Sequence, residues 1–132
     1  MSKQWLDAAW GTEVRRFAHD AAGIKQLAAS LRQAAADLVV LEATGGWELR
    51  VAAELQGEGL AVAVVNPRQA RDFAKASGFL AKTDAIDARV IAQFGVAIDP
   101  QVTAVPGEDA QELQAMMVRR GQLIAMRTQE KN

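Results

Sequence analysis

The chain has 132 residues, half of them hydrophobic, and a formal net charge of −1; this suits one domain with a real core and excludes both a disordered tail and attachment to nucleic acid or membrane by overall charge. It has no cysteine, which removes disulfides and thiolate metal sites. No apolar run approaches a membrane span and residues 1–12 lack a secretion signal, so the sequence reads as a cytoplasmic protein with no membrane partner.

In chain order, "KQWLDAAW" and "GTEVRRFA" predict two strands with a turn at Gly11-Thr12, since Trp5, Trp10, Val14 and Phe17 favour extended backbone. "DAAGIKQLAASLRQAA" predicts a helix that Asp20 can cap, with Ile24, Leu27, Ala28 and Leu31 at helical spacing. The apolar run "DLVVLEA" suits a strand buried on both faces that ends in Glu42. "TGGWELRVAAELQGEG" reads as a turn and a helix with Trp47, Val51 and Leu55 on one stripe, and "LAVAVV" as another buried strand. "NPRQARDFAKASG" predicts a helix capped by Asn66, with Pro67 at its first position and Gly78 as its stop. "LAKTDAIDARVIAQF" predicts a further helix ending near Gly95.

Residues 1–98 thus form an α/β domain. Residues 99–107 form a linker, and residues 108–132 begin a long helical segment with Leu113, Met116, Met117 and Ile124 on one side. That last segment starts acidic and turns basic, as a helix dipole favours, and Gly121 weakens it. The two apolar strands with a helix between them predict a parallel right-handed crossover. Joined to the hairpin, they give one mixed sheet with flanking helices.

Two pieces carry chemistry. Asp84 and Asp87 share one face at the start of a helix. Their spacing fits helix-end electrostatics, with Asp84 or Thr83 as cap, and it equally fits half of a metal site. The metal alternative needs a further carboxylate, and Glu42 is the candidate, because ligands of open α/β sheets bind beyond the carboxyl ends of strands. The other possibility for Glu42 is a solvated acid or a local N–H acceptor. Around these acids stand Arg68, Arg71, Lys75, Lys82 and Arg89. They are either a solvated face or contacts for phosphate in a chain of small net charge. His19 carries no partner signal.

Taken together, "LEATGGWE", "VAVVNPRQARDFAKASG" and "LAKTDAIDARVIAQF" resemble the N-terminal domain of the DEDD transposases of bacterial insertion sequences, the group related to the pilin-gene invertases. "RRGQLIAMRTQEKN" extends the resemblance towards the chain end. The resemblance implies an RNase H-like, RuvC-like mixed sheet with flanking helices and a long C-terminal helix. It implies a four-carboxylate Mg²⁺ site in which Glu42, Asp84 and Asp87 are the second to fourth acids. It further implies DNA strand cleavage and exchange guided by a structured RNA, with a downstream serine-bearing domain, in a bacterial cytoplasm.

The family's first strand, which is the central one and ends in the first Asp, has no counterpart here: Ser2 and Lys3 match the family, and Met1 takes the place of its Val. The expectation is therefore a missing central strand from a misassigned start. The gap it leaves would be closed by rearrangement or by a second chain. Weak or absent Mg²⁺ binding and no nuclease activity would follow for this chain alone. Association of copies through the last helix or the open sheet edge is expected as well. Two other classes stay open: a silent nucleic-acid-binding or dimerisation module, and a small-molecule-binding domain using the crevice near Thr44-Gly46.

Overall fold

Alternating apolar residues and a turn that glycine can make build the first unit. In the computed structural model, which describes residues 4–78, 84–104 and 108–131, β1 (Trp5–Trp10) pairs antiparallel with β2 (Glu13–Ala18). Gly11 adopts φ +55°, the left-handed backbone a tight hairpin turn needs. Leu6 and Phe17 point inward from facing positions and are buried.

The helix α1 (Ala21–Gln33) begins where the Asp20 carboxylate accepts the Gly23 N–H at 2.7 Å, as its sequence predicts. A Cβ on Gly23 would lie 1.8 Å from the Ala18 carbonyl oxygen, so only glycine lets α1 sit this close to the end of β2. β3 (Val39–Glu42) runs parallel to β4 (Val62–Val65), and α2 (Trp47–Gly57) makes the crossover between them, as expected. Leu6 and Phe17, the inner face of α1, Val51, Ala52 and Leu55 of α2, and Leu60 and Val62 form one apolar core.

On the other side lie α3 (Pro67–Ala76) and α4 (Asp84–Ile98), joined by an edge-to-face contact of Phe73 and Phe94 with ring centroids 5.6 Å apart. Asn66 caps α3 by accepting the Arg68 N–H at 2.8 Å, and Gly78 ends it at φ +84°. α4 continues past Gly95 to Ile98, because Gly95 is a packing position and not a stop. A Cβ there would come 2.9 Å from Val40 Cγ2, so the glycine sets how closely α4 lies on β3. α5 (Glu108–Lys131) forms the predicted long helix, with Met116, Met117, Ile124 and several further apolar side chains exposed; the Leu113 side chain lies outside the described residues.

The single mixed sheet expected from the sequence is replaced by two two-stranded sheets. Among the described residues no strand joins β1 to β3, and no rearrangement closes the space between them. A cleft of about 570 Å³ lies there. Trp47 departs from expectation too. It is 46% exposed while Val51 and Leu55 are fully buried, because at the first position of α2 it packs edge-on against His19, centroids 6.3 Å apart. His19, for which the sequence carries no partner signal, has that ring as a neighbour.

Candidate metal centre

Two glutamates flank the "ATGG" turn, and they live in opposite environments. Glu48 lies in the first turn of α2 and is 7% exposed. Its Oε2 accepts hydrogen bonds from the Thr44 N–H (2.9 Å), the Gly46 N–H (2.9 Å) and the Thr44 hydroxyl (3.0 Å). Gly46 has no side chain to cap α2, and Glu48 instead reaches back from the first turn to hold the N–H groups of the residues that precede the helix. Burial pushes its pKa up. The N–H groups of Thr44, Glu48 and Gly46, with the Thr44 hydroxyl, outweigh that and hold the carboxyl below its ordinary value.

Glu42 closes β3 opposite Val65 and is half-buried. The next residue, Ala43, still donates its N–H to the Val65 carbonyl at 3.0 Å, which fixes the backbone on both sides of the glutamate. Among the described residues, no hydrogen bond or ion pair engages its carboxylate. Such a carboxylate at a strand's carboxyl end suits a hard divalent cation, which takes oxygen ligands.

Asp84 and Asp87 lie in the first turn of α4, with their side chains outside the described residues. The direction of α4 follows from its far end. After Ile98 the chain reaches Thr103, whose N–H donates to the Val62 carbonyl at 2.9 Å and whose hydroxyl accepts the Val64 N–H at 2.8 Å. The carboxyl end of α4 therefore sits at the amino end of β4, and the seat of Gly95 on Val40 agrees. α4 runs against β3 and β4, with its acidic first turn towards their carboxyl ends, where Glu42 stands. From Gly95 back to Asp87 the helix rises about 12 Å, and from Val40 to Glu42 the strand rises about 7 Å, so the two backbones differ in level by about 5 Å.

The basic residues follow the helices that carry them. α3 buries Ala70 and leaves Arg68, Arg71 and Lys75 exposed. On α4, Ala88 and Val90 are buried while Arg89 between them is exposed. Lys82 lies outside the described residues. No helix among the described residues is long and apolar enough to cross a membrane.

Glu48 is the residue of this region that the sequence analysis did not single out. Its only signal is an acid in the first helical turn after "TGG", the place where a carboxylate meets orphan N–H groups. A family model described as transposase, of the DEDD type named for IS110, matches residues 10–132. A search of curated proteins returns no match.

Proposed function

The chain belongs to the DEDD transposase family, and from that premise we propose that it is the N-terminal metal-binding domain of a DNA transposase, inactive on its own, in which Glu42, Asp84 and Asp87 hold Mg²⁺. The observation that carries this is Glu42: a fixed carboxylate at the end of β3, without a partner among the described residues, on the side to which the acidic turn of α4 is directed. The donor set suits the ion, since carboxylate oxygens are what Mg²⁺ takes from proteins. When bound, the ion supplies charge stabilisation at a phosphodiester and activates the attacking oxygen. The chain's own contribution is to place the ligands. β3 fixes Glu42, Glu48 shapes the turn that follows it, and α4 presents two acids on one turn.

Helix capping by the aspartates is compatible with this role and adds to it. Arg68, Arg71, Lys75, Lys82 and Arg89 contact the DNA backbone in this proposal. They give phosphate binding a local positive surface in a chain whose net charge is −1. Guidance by a structured RNA, a bacterial cytoplasmic setting and association of copies belong to the same proposal for the whole protein.

The test uses Mn²⁺ in place of Mg²⁺, because its paramagnetism reports weak binding. Millimolar Mn²⁺ added to the 132-residue chain should broaden the backbone resonances around Glu42, Asp84 and Asp87 before any others. Glu42→Gln, Asp84→Asn and Asp87→Asn should each weaken that broadening. Broadening centred elsewhere, or unaltered by all three substitutions, would sink the metal assignment and leave the acids as helix-end residues.

A further inference from the structure

β4 has two unlike edges. On the inner one it meets β3 in a parallel ladder that reaches from the Val39 N–H on the Ala61 carbonyl (2.8 Å) to the Ala43 N–H on the Val65 carbonyl (3.0 Å). On the outer one, among the described residues, Thr103 supplies the bonds.

Thr103 imitates one residue of a further parallel strand and then stops. Its N–H donates to the Val62 carbonyl at 2.9 Å, the first half of what a parallel neighbour does. The second half would be its carbonyl accepting the Val64 N–H. The Thr103 hydroxyl accepts that N–H instead, at 2.8 Å, and the carbonyl accepts the Gln56 side-chain amide at 2.9 Å. With the carbonyl turned away the ladder cannot continue. Gln101, Val102 and Ala104 beside it are exposed, so little apolar burial backs these three bonds.

The same residue stitches three layers together. α4 covers the face of the parallel pair that carries Val40, and the core of α1 and α2 covers the face that carries Val39 and Leu41. The chain leaves α4 through Asp99, whose backbone is left-handed at φ +49°, a conformation that a non-glycine residue keeps where its surroundings impose it. It then passes the edge of β4 at Thr103, where Gln56 of α2 takes hold from the other face. Beyond Ala104 only residues 105–107 precede Glu108, the first residue of α5. α5 is 24 residues long, about 36 Å, and exposes Met116, Met117, Leu123, Ile124 and Met126.

We propose that Thr103 is a releasable joint that couples α5 to the parallel pair. With the joint closed, the base of α5 moves with β4 and so with β3, the strand that ends in Glu42. With it open, α5 follows the end of α4 alone, and the sheet stays folded. Opening exchanges three hydrogen bonds for bonds to water and uncovers little apolar surface, so it lies well below global unfolding. A contact made on the apolar side of α5 therefore reaches β4 only while the joint holds. This inference stands whether or not Glu42 binds a metal.

Hydrogen exchange of the 132-residue chain tests the release. The Val64 amide should exchange roughly ten-fold or more faster than the Val39 and Ala43 amides, which bond across the inner edge. Thr103→Val keeps the shape and the N–H but removes the acceptor. It should speed Val64 exchange by a further ten-fold or so and leave Val39 and Ala43 within about two-fold. Thr103→Ser should restore the parent rate. The coupling is read by distance. The chain has no cysteine, so Gln26→Cys on α1 and Gln122→Cys on α5, both exposed, accept spin labels cleanly. The distribution of distances between the labels should be about twice as broad in Thr103→Val as in the parent, and narrow again in Thr103→Ser. Val64 exchanging at the rate of Val39 and Ala43 in the parent would overturn the proposal, since the edge would then open only with the sheet. Loss of protection at Val39 and Ala43 in Thr103→Val would overturn it too, by making Thr103 part of the core. So would equal breadth of the label distances in the parent and Thr103→Val.

Discussion

The two small sheets reach order by different routes. β1 and β2 are joined by a tight turn at Gly11-Thr12, and much of what steadies them lies within the pair. Trp10 stacks near Phe17 at 6.4 Å, and the Arg15 guanidinium lies 5.8 and 5.6 Å from the two rings. β3 and β4 are parallel and cannot pair without α2 between them. Val62 and Ala63 have no exposed surface at all, so this sheet depends on the helices that cover it. Short-range contacts sustain the hairpin, whereas the parallel pair stands or falls with the shared core. The candidate ligand Glu42 is attached to the dependent half.

The largest test of that contrast is Leu55→Ala. Leu55 is fully buried on α2, inside the core that carries β4. Its truncation should cost about 4 kcal/mol in chemical denaturation, from lost burial plus the cavity left behind. Hydrogen exchange should show β3 and β4 opening before β1 and β2. Equal loss in both sheets would erase the distinction.

Gly23→Ala probes the junction between the halves and should cost about 2–3 kcal/mol. The added methyl meets the Ala18 carbonyl, which is backbone and cannot rotate away, so α1 must move off the hairpin. A net stabilisation approaching the gain in helix propensity, about 1 kcal/mol, would show that the two elements adjust freely.

Glu48→Ala should cost about 2 kcal/mol near neutral pH, because the Thr44 and Gly46 N–H groups lose their acceptor. The sign of the pH dependence follows from the lowered pKa. A carboxyl whose folded pKa lies below its ordinary 4.5 stabilises the fold above that value, and the stabilisation fades as pH falls through the folded pKa. Denaturation curves of the parent and the Glu48→Ala variant should converge at acid pH. A gap that stays constant down to low pH would mean that packing, and not charge, keeps Glu48 in place.

The elements were legible in the sequence wherever one residue type fixes local geometry. Asp20 and Asn66 cap the helices they precede, and Gly11 and Gly78 adopt the backbone their turns need. Signals that depend on distant partners misled. Gly95 reads as a stop because a helix-ending glycine and a packing glycine are alike in one dimension, and only Val40 tells them apart. Trp47 sits at helical spacing with Val51, but the first turn of a helix has no preceding turn to direct its side chain inward, and His19 takes it. In the candidate site, Glu42 was visible as an acid ending an apolar run. Glu48 was not, because its role is to satisfy three donors on a turn whose shape periodicity does not describe.

The smallest effect separates the hairpin most cleanly. Arg16 holds Asp7 through Nε–Oδ1 at 2.8 Å and Nη2–Oδ2 at 3.1 Å, and its guanidinium lies 5.7 Å from the Trp5 ring centre. The Arg16 side chain is 50% exposed, so water and salt screen the pair from that side, but the Asp7 side chain is only 9% exposed and would lose its partner, so Arg16→Ala should cost about 1–2 kcal/mol. Arg16→Lys should recover little of that, since a lysine cannot bridge both carboxylate oxygens. If short-range contacts sustain the hairpin, the loss should appear as faster exchange in β1 and β2 with β3 and β4 unchanged. Faster exchange in β3 and β4 as well would mean that the edge of β1, where Asp7 borders the cleft, is already coupled to the parallel pair across it.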